Sequence, residues 1–364
     1  MKKTPYRTVE TGLISVFSGD GRDLLDEFPE NTFDCVITDP PYSVGITRNE
    51  ISGPRWDHSR IAFDQDFWAK VRRVTKPGAT MAVFGHPKTF ARMAVAIEDA
   101  GYTMVDTLAW IHGQGYAAGY RHLDQELKRL GASELAASYS GWGNMLRPAF
   151  EPIIIARNIT AHQSLPEVIS RGGVGGLNID ACRISAGDEN RSRTPGRTSP
   201  SATWRIDRLP ARVSTPPEAG RMPSNVLLEH NQDCTERHCT AKCPIAQVRR
   251  DGHAVRGRNE DASRFYQTFL HHPKATQRER PQVDGLSGPT VKPVGVMDWL
   301  VSLVARPGQL VLDPFAGTGT TLEACAKVGV RSVGFEREQL YMPLIQKRLS
   351  QFTLVTPSAL DRSR

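Results

Sequence analysis

The chain has 364 residues, of which 39% are hydrophobic and 23% are charged, so it is long enough to bury a core in one large domain and a smaller one. It has no apolar run of about 18 residues and no signal-peptide pattern at its start, so we expect no membrane span and a cytoplasmic protein. Six cysteines without a secretory signal disfavour a disulfide framework, and a net charge of +7 is compatible with a polyanionic partner.

Predicted strands and helices alternate along the first 157 residues. Apolar, β-branched runs predict strands at 13–17, 35–38, 80–85 and 103–111, and helical spacing of apolar residues predicts helices at 63–74 and 88–100. A last strand of this half is expected at Glu151–Arg157, antiparallel to its neighbours. The alternation predicts a doubly wound α/β sheet.

One predicted strand ends abruptly at an acid. Cys35–Ile37 is small or β-branched, and the chain continues as Thr38-Asp39-Pro40-Pro41-Tyr42. Two successive prolines cannot continue a strand because neither has an N–H group to donate. They hold backbone carbonyl groups stiffly beside one carboxylate, with an aromatic ring next to them. On these residues alone, a cluster of hydrogen-bond acceptors beside a stacking surface and an ordinary turn with an exposed tyrosine are both open interpretations.

The last hundred residues contain a second strand that ends in an acid. Gln309–Asp313 leads into the glycine-rich turn Pro314–Thr320, which opens a helix at Thr321–Val328. Glycines let a ligand approach the backbone, and the start of the helix presents free N–H groups. A further strand, Arg331–Glu336, ends in an acid about twenty residues past the turn, where nucleotide-binding βαβ units place the carboxylate that receives ribose hydroxyls.

Asp20 also follows a predicted strand. Because ligands of open parallel sheets sit beyond the carboxyl ends of strands, Asp20, Asp39 and Asp313 are expected to share one crevice. For Asp20 alone, capping of a helix that starts at Gly21 is an equally open interpretation.

The two acid-ending blocks resemble motif IV (Asp-Pro-Pro-Tyr type) and motif I (Phe-x-Gly-x-Gly type) of the S-adenosylmethionine-dependent DNA amino-methyltransferases. These enzymes methylate adenine N6 or cytosine N4 and include phage and restriction-modification methylases. The catalytic block comes first here, which is the permuted order of the β class. The resemblance covers residues 12–158 and 260–350. It implies a seven-stranded, Rossmann-like methyltransferase sheet that is circularly permuted and carries an inserted target-recognition region.

The resemblance also implies domain boundaries and a role for each motif residue. The expected units are a catalytic half at 1–157, a target-recognition region at 158–260, a cofactor-binding half at 261–350 and a tail at 351–364. The catalytic residues are Asp39, Pro40, Pro41 and Tyr42. The cofactor-binding residues are Asp20, Thr290, Lys292, Asp313, Phe315, Gly317, Gly319, Thr320 and Glu336. Thr290 and Lys292 belong to a stretch like motif X, in which Gly288 replaces the usual histidine and puts a histidine contact in doubt.

The chemistry of this family requires a base flipped out of double-stranded DNA. The resemblance implies that the Asp39 carboxylate and the Pro40 carbonyl hold the amine hydrogens, that the nitrogen lone pair faces the sulfonium methyl, and that Tyr42 stacks on the base. An acid at the first motif position favours adenine N6 over cytosine N4. A homodimer and a cognate restriction endonuclease stay open as partners.

The expected target-recognition region is rich in arginine, which suits contact with DNA phosphates. A disordered linker is the alternative for this region. Within it, Cys234, Cys239 and Cys243 lie close to His230 and His238. Three thiols and a histidine suit a tetrahedral zinc site, for which we take His238 as the fourth ligand, and unliganded cysteines are the alternative.

Other classes of protein fit less well. A nicotinamide-binding fingerprint requires a third glycine where Leu322 stands, and the chain has no Gly-x-x-x-x-Gly-Lys loop. Protein-glutamine methyltransferases have a related motif, but there the glycine block comes first. A catalytically silent DNA-binding relative stays open.

Overall fold

A computed structural model shows a mixed α/β protein built on one large, mostly parallel sheet. It describes residues 8–10, 12–44, 59–112, 122–146, 148–160, 162–184, 220–231, 233–235, 238–241, 243–254, 263, 266–269, 280–287 and 291–352.

The strands are β1 (Thr8–Glu10), β2 (Ile14–Ser18), β3 (Phe33–Thr38), β4 (Thr75–Phe84), β5 (Thr103–Ile111), β6 (Phe150–Arg157), β7 (Val226–Glu229), β8 (Gln267–Phe269), β9 (Gln282–Val283), β10 (Leu286–Ser287), β11 (Leu310–Asp313) and β12 (Arg331–Glu336). The helices are α1 (Gly21–Leu24), α2 (Gln65–Val74), α3 (Phe90–Asp99), α4 (Leu123–Arg129), α5 (Ser133–Ser138), α6 (Leu165–Ser170), α7 (Pro244–Ala254), α8 (Val294–Val304), α9 (Thr320–Val328) and α10 (Met342–Leu349).

The order of strands in the main sheet is β1-β2-β12-β11-β3-β4-β6-β5-β7-β8. The five strands from β2 to β4 in this order are mutually parallel. β6 runs antiparallel to both of its neighbours, β4 and β5, as expected for Glu151–Arg157. β11 and β12 come from the end of the chain and lie between β2 and β3 from its beginning, so the sheet interleaves the two halves.

The central strands are buried on both faces, because helices cover each side of the sheet. On β3, Val36 packs into a core with Phe67 and Trp68 of α2. Its neighbours Cys35 and Ile37 point into a second core with α8 and α9. A parallel sheet enclosed in this way selects continuous apolar strands. The predicted doubly wound α/β class is confirmed.

The sheet is larger than the seven strands expected, because ten of the described strands join it. The strand expected at 80–85 begins earlier, at Thr75. Its first residues, which include Pro77 and Gly78, lie where its pairing with β3 has an irregular register. Part of the segment expected as an insertion also belongs to the sheet. Its apolar run Val226–Glu229 forms β7, which pairs parallel with β5.

A second part of this segment packs over the start of β4. Val174 N donates to Pro77 O at 2.9 Å, and Asn178 N donates to Leu303 O at 2.7 Å. A Cβ atom on Gly78 would lie 1.9 Å from Val174 O, so only glycine permits this approach of two backbones. Residues 173–178 therefore lie against the main sheet and α8.

None of the helices in the described ranges combines the length and the apolar character that a membrane span needs.

Candidate functional site

The polar residues of the site lie along one edge of the sheet. The carboxyl ends of parallel strands meet at one edge of the sheet. Asp313 and Glu336 are the last residues of β11 and β12, and Asp39 directly follows β3. Because β6 is antiparallel, its first residues reach the same edge, which places Glu151 beside the end of β4. His112 and Glu229, at the ends of β5 and β7, continue this row.

One cavity at this edge is lined by both halves of the chain. The residues on one side come from the acid-Pro-Pro-Tyr segment, and those on the other side come from the glycine turn and the end of β12. The predicted site residues that line it are Asp20, Asp39, Pro40, Pro41, Tyr42, Lys292, Asp313, Phe315, Gly317, Thr320 and Glu336. Gly319 is absent from this wall, and Thr290 lies outside the described residues.

The Lys292 ammonium joins three acceptors at the base of the acid-Pro-Pro-Tyr segment. Its Nζ lies 2.9 Å from Asp39 Oδ2 and 3.1 Å from Glu151 Oε2, and it donates to the Tyr42 hydroxyl at 2.9 Å. An ammonium group has three N–H donors, which matches these three acceptors. Lys292 was predicted as a cofactor-pocket residue, and its charged end is directed at the acid-Pro-Pro-Tyr segment.

Tyr42 is fixed by its hydroxyl group. The Oη atom is 2.7 Å from Asp39 Oδ1 and 3.0 Å from Glu151 Oε2. Burial, followed by the charges of Asp39 and Glu151, raises the pKa of Tyr42 well above its usual value, so the hydroxyl keeps its proton as a donor. The ring therefore has a defined orientation in the cavity wall.

A row of charged groups continues behind Tyr42. His112 Nε2 lies 3.2 Å from Glu151 Oε1, and His112 Nδ1 lies 3.1 Å from Glu229 Oε2. Burial opposes the ionisation of Glu151, but Lys292 and His112 outweigh it and lower the pKa of Glu151 to about 2. Burial likewise opposes protonation of His112, but Glu151 and Glu229 raise its pKa overall.

The glycine turn is tied to the end of β3 through Asp313. Thr38 Oγ1 donates to Asp313 Oδ1 at 2.7 Å, and Phe315 N donates to the same atom at 3.1 Å. Burial raises the pKa of Asp313 to about 6 despite these hydrogen bonds. Gly317 and Gly319 have φ of 56° and 83°, in the left-handed region that favours glycine. Gly319 caps α9, so its role in the described structure is to shape the turn.

Arg348 of α10 supports this turn from behind. Its Nε donates to Thr318 O at 2.7 Å, and its guanidinium pairs with Glu323 of α9. Arg348 is only 7% exposed. Burial of its charge is costly, and the ion pair with Glu323 and the hydrogen bond to Thr318 O offset this cost.

Glu336 and Asp20 stand on the far side of the turn. Glu336 is buried and accepts a hydrogen bond from Glu338 N at 2.7 Å, and burial raises its pKa to about 8. Asp20 accepts from Arg22 N at 2.9 Å as the cap of α1, and it pairs with the Arg22 guanidinium. It also lines the cavity, so both interpretations of Asp20 agree with the structure.

A separate cluster of sulfur and nitrogen atoms lies beyond β7. The ligand atoms of His230, Cys234, Cys239 and Cys243 all lie within 4.8 Å of one another. His238, which the sequence analysis assigned as the fourth ligand, is exposed and does not belong to this group. The structure therefore groups His230, and not His238, with the three thiols, because His230 Nδ1 faces Cys239 and Cys243.

Sequence reasoning missed Glu151, His112 and Glu229 as site residues. Their positions in the sequence could have identified them. His112 and Glu229 stand at the ends of apolar strands, and Glu151 stands at the start of a strand that was expected to be antiparallel. Arg348 had no comparable signal, since a basic residue in the last turn of a helix is usually exposed.

Residues 33–347 match the model of the N6/N4 family described as DNA methylase. This match spans most of the chain. The chain belongs to the DNA methylase family.

Two curated relatives match this chain over shorter segments. Type II methyltransferase M.HinfI of Haemophilus influenzae is 39% identical over 62 residues, which is 17% of this chain and 17% of that protein. Type II methyltransferase M2.DpnII of Streptococcus pneumoniae is 34% identical over 61 residues, which is 17% of this chain and 23% of that protein. Each match thus spans less than a quarter of the relative. Among solved structures, the cytosine-N4-specific PvuII DNA methyltransferase has a TM-score of 0.49 at 13% identity, covering 93% of this chain and 86% of that chain.

Replacement of Lys292 tests how far the fold of this protein depends on the row of charged groups at Lys292, Glu151 and His112. Lys292→Met leaves the buried carboxylate of Glu151 without its nearest cation, so we expect the free energy of unfolding near pH 7 to fall by about 3 kcal/mol. Because Lys292 helps to lower the pKa of Glu151 from 4.5 to about 2, its contribution is present above 4.5 and is lost as the pH falls through this range. The deficit of the variant should therefore shrink below pH 4.5.

Chemical denaturation at several pH values measures this effect. Lys70→Met is the matched control, because Lys70 pairs with Asp26 at the surface and should contribute less than about 1 kcal/mol. Equal losses in the two variants would contradict the assignment.

Proposed function

We propose that this DNA methylase transfers a methyl group from S-adenosylmethionine to the N6 amine of an adenine flipped out of double-stranded DNA. The single observation that carries the proposal is the shared cavity, in which Asp39 and Tyr42 face the glycine turn and Glu336. A methyl donor held by one wall would meet an amine held by the other. Residues 158–260 are proposed to contribute to target recognition in a circularly permuted fold.

The cofactor wall suits a nucleoside with an aminoacyl chain. Glu336 is a buried acid at the end of a strand next to the glycine turn, where it can accept hydrogen bonds from two ribose hydroxyls. Gly317 removes side-chain bulk from the turn, and Asp20 adds a second acid to the same side of the cavity as Glu336. When bound, S-adenosylmethionine supplies an electrophilic methyl group on a sulfonium.

The amine wall suits a neutral, poorly nucleophilic NH2 group. Asp39 uses one contact on each oxygen for Tyr42 and Lys292, and a carboxylate has about four acceptor positions. Its side chain is 25% exposed at the cavity, so a further acceptor position is accessible to an amine hydrogen. The Pro40 carbonyl is the proposed acceptor of the second hydrogen. Two acceptors turn the nitrogen lone pair away from the ring and stabilise positive charge as it develops.

Lys292 and Glu151 act in this proposal as positioning residues. Lys292 holds one Asp39 oxygen, and Tyr42 holds the other, so the carboxylate cannot rotate freely. Glu151 in turn fixes both Lys292 and the Tyr42 hydroxyl. The Tyr42 ring is thereby oriented before a base arrives, which reduces the ordering cost of stacking.

The acid at position 39 supports adenine as the target, and cytosine N4 is the alternative. A catalytically silent DNA-binding protein is the second alternative, and the intact acceptor cluster and glycine turn argue against it. Sequencing that detects modified bases, applied to DNA from cells that lack other methylases and express this chain, should show N6-methyladenine at one recurring sequence. N4-methylcytosine would overturn the target base, and unmodified DNA together with cofactor binding would support the silent relative.

Asp39→Asn tests the catalytic assignment at constant side-chain size. The amide loses the negative charge that stabilises the reacting amine, so we expect methyl transfer to DNA to slow by about 10²–10³-fold while cofactor affinity is unchanged. Transfer of a tritiated methyl group in single-turnover reactions measures the first quantity, and calorimetry measures the second. Asp99→Asn, at an exposed position at the end of α3, is the control. Transfer at the wild-type rate by Asp39→Asn would refute the assignment.

Glu336→Gln tests the cofactor wall, because we expect this change to stabilise the fold and to weaken cofactor binding. The pKa of Glu336 is raised from 4.5 to about 8, so the folded protein binds an extra proton between these values and loses stability as the pH rises through them. The uncharged variant should therefore unfold at a higher temperature than the wild type at pH 8. Above pH 8, where Glu336 of the wild type is ionised, the variant should bind S-adenosylmethionine about 10- to 100-fold more weakly, because charged acceptors form the stronger hydrogen bonds.

Thermal unfolding across this pH range and calorimetric titration with the cofactor provide the two measurements. Glu98→Gln, on the exposed surface of α3, should change neither quantity. Unchanged cofactor affinity in Glu336→Gln would remove Glu336 from the binding site.

A further inference from the structure

The geometry beyond β7 points to a second site that is separate from methyl transfer. We propose that His230, Cys234, Cys239 and Cys243 bind one zinc ion, which fastens the loop at 230–243 to the end of β7 and to the start of α7. The ligands follow the spacing His-x3-Cys-x4-Cys-x3-Cys.

The distances between ligand atoms agree with a tetrahedral ion. Zn–S bonds of about 2.3 Å and Zn–N bonds of about 2.0–2.1 Å place two sulfurs about 3.8 Å apart and a sulfur and a nitrogen about 3.6 Å apart. Cys234 Sγ lies 3.7 Å from Cys239 Sγ. His230 Nδ1 lies 3.5 Å from Cys239 Sγ and 3.6 Å from Cys243 Sγ. Three of the edges of the tetrahedron thus have the expected length.

Backbone N–H groups support the sulfurs as they do in metal sites. Thr240 N donates to Cys234 Sγ at 3.4 Å. N–H groups of Ala246, Asn231 and Ile245 face Cys243 Sγ, which lies immediately before α7. Such bonds orient ligands and stabilise charge on sulfur. This part of the chain therefore offers both the ligands and the partners that hold them.

The surroundings show why a metal is needed here. Among the described residues, the apolar cluster under this loop has three buried members, Leu228, Cys243 and Ile245, with six partly buried residues packed against them. A segment with so small a core gains little stability from apolar burial, and a bound metal supplies the missing folding energy. A disulfide does not explain the cluster, because it would use two thiols and leave the third thiol and the histidine without a role.

The three sulfur ligands and one nitrogen ligand favour zinc in a structural role. Thiolates and imidazole at tetrahedral spacing suit Zn²⁺, whereas hard cations prefer oxygen ligands. Four protein ligands fill the coordination shell, so no position stays open for a substrate. The ion fixes the main chain at His230, directly after Glu229, whose carboxylate contacts His112 at 3.1 Å. The site thus anchors the far end of the charged row without taking part in the reaction.

Metal analysis of the full chain tests the proposal independently of methylation. Protein purified from medium containing zinc should hold one zinc per chain, with three sulfur ligands and one nitrogen ligand in its X-ray absorption spectrum. Cobalt exchanged into the wild-type protein should show the thiolate-to-metal absorption of a tetrahedral site, which requires no variant to fold. Cys243→Ser and His230→Ala should bind zinc at least about 10-fold more weakly in competition with a chelating dye.

His238→Ala is the matched control, because it removes a neighbouring histidine outside the cluster and should leave zinc affinity unchanged. Cys182→Ser, at a buried thiol elsewhere in the chain, should also keep the metal. Removal of zinc should expose residues 230–243 to limited proteolysis. Absence of zinc together with no cobalt–thiolate absorption would overturn the site, as would loss of the metal in His238→Ala but not in His230→Ala.

Discussion

The parallel pairing of β3 with β11 is the constraint on which the site depends. Val311 pairs with Cys35 and Leu312 with Val36, although these strands lie at opposite ends of the chain. Both strands are buried on both faces, so a shift by one residue would exchange the side chains of two different cores. The hydrogen bond from Thr38 to the buried Asp313 fixes the same register at the edge where the strands end. The acid-Pro-Pro-Tyr segment and the glycine turn must therefore face each other.

The antiparallel strand β6 brings residues from the start of a strand to the edge of the sheet where the parallel strands end. Because it runs in reverse, its first residues reach the ligand edge and carry Glu151 beneath Tyr42. That carboxylate stays ionised because Lys292 and His112 flank it, and it holds both Lys292 and Tyr42 in return. Removal of either cation would therefore leave the buried Glu151 carboxylate only partly compensated.

The sequence predicted those parts of the fold and site that depend on local pattern. Asp39 and Glu336 each end an apolar strand and precede a break in the chain, so their position at the edge followed from adjacent residues. The directions of the Lys292 and Glu151 side chains depend on strands that meet only in the folded sheet. His230 and His238 are equally close to the cysteines along the chain, and only the path of the loop after β7 separates them. β7 was missed because three apolar residues and one acid in a polar stretch form a strand only when β5 offers an edge.

The charges around Tyr42 bear directly on the proposed reaction. The row holds three acids, Asp39, Glu151 and Glu229, and two basic groups, Lys292 and His112. In the proposed reaction, a neutral amine approaching Asp39 gains positive charge as its bond to the methyl group forms, so a carboxylate held beside it favours the transition state over the bound base. Lys292 and Tyr42 each contact one oxygen of Asp39, and Glu151 contacts both of them. These contacts hold the Asp39 carboxylate at the point where the proposed reaction creates positive charge.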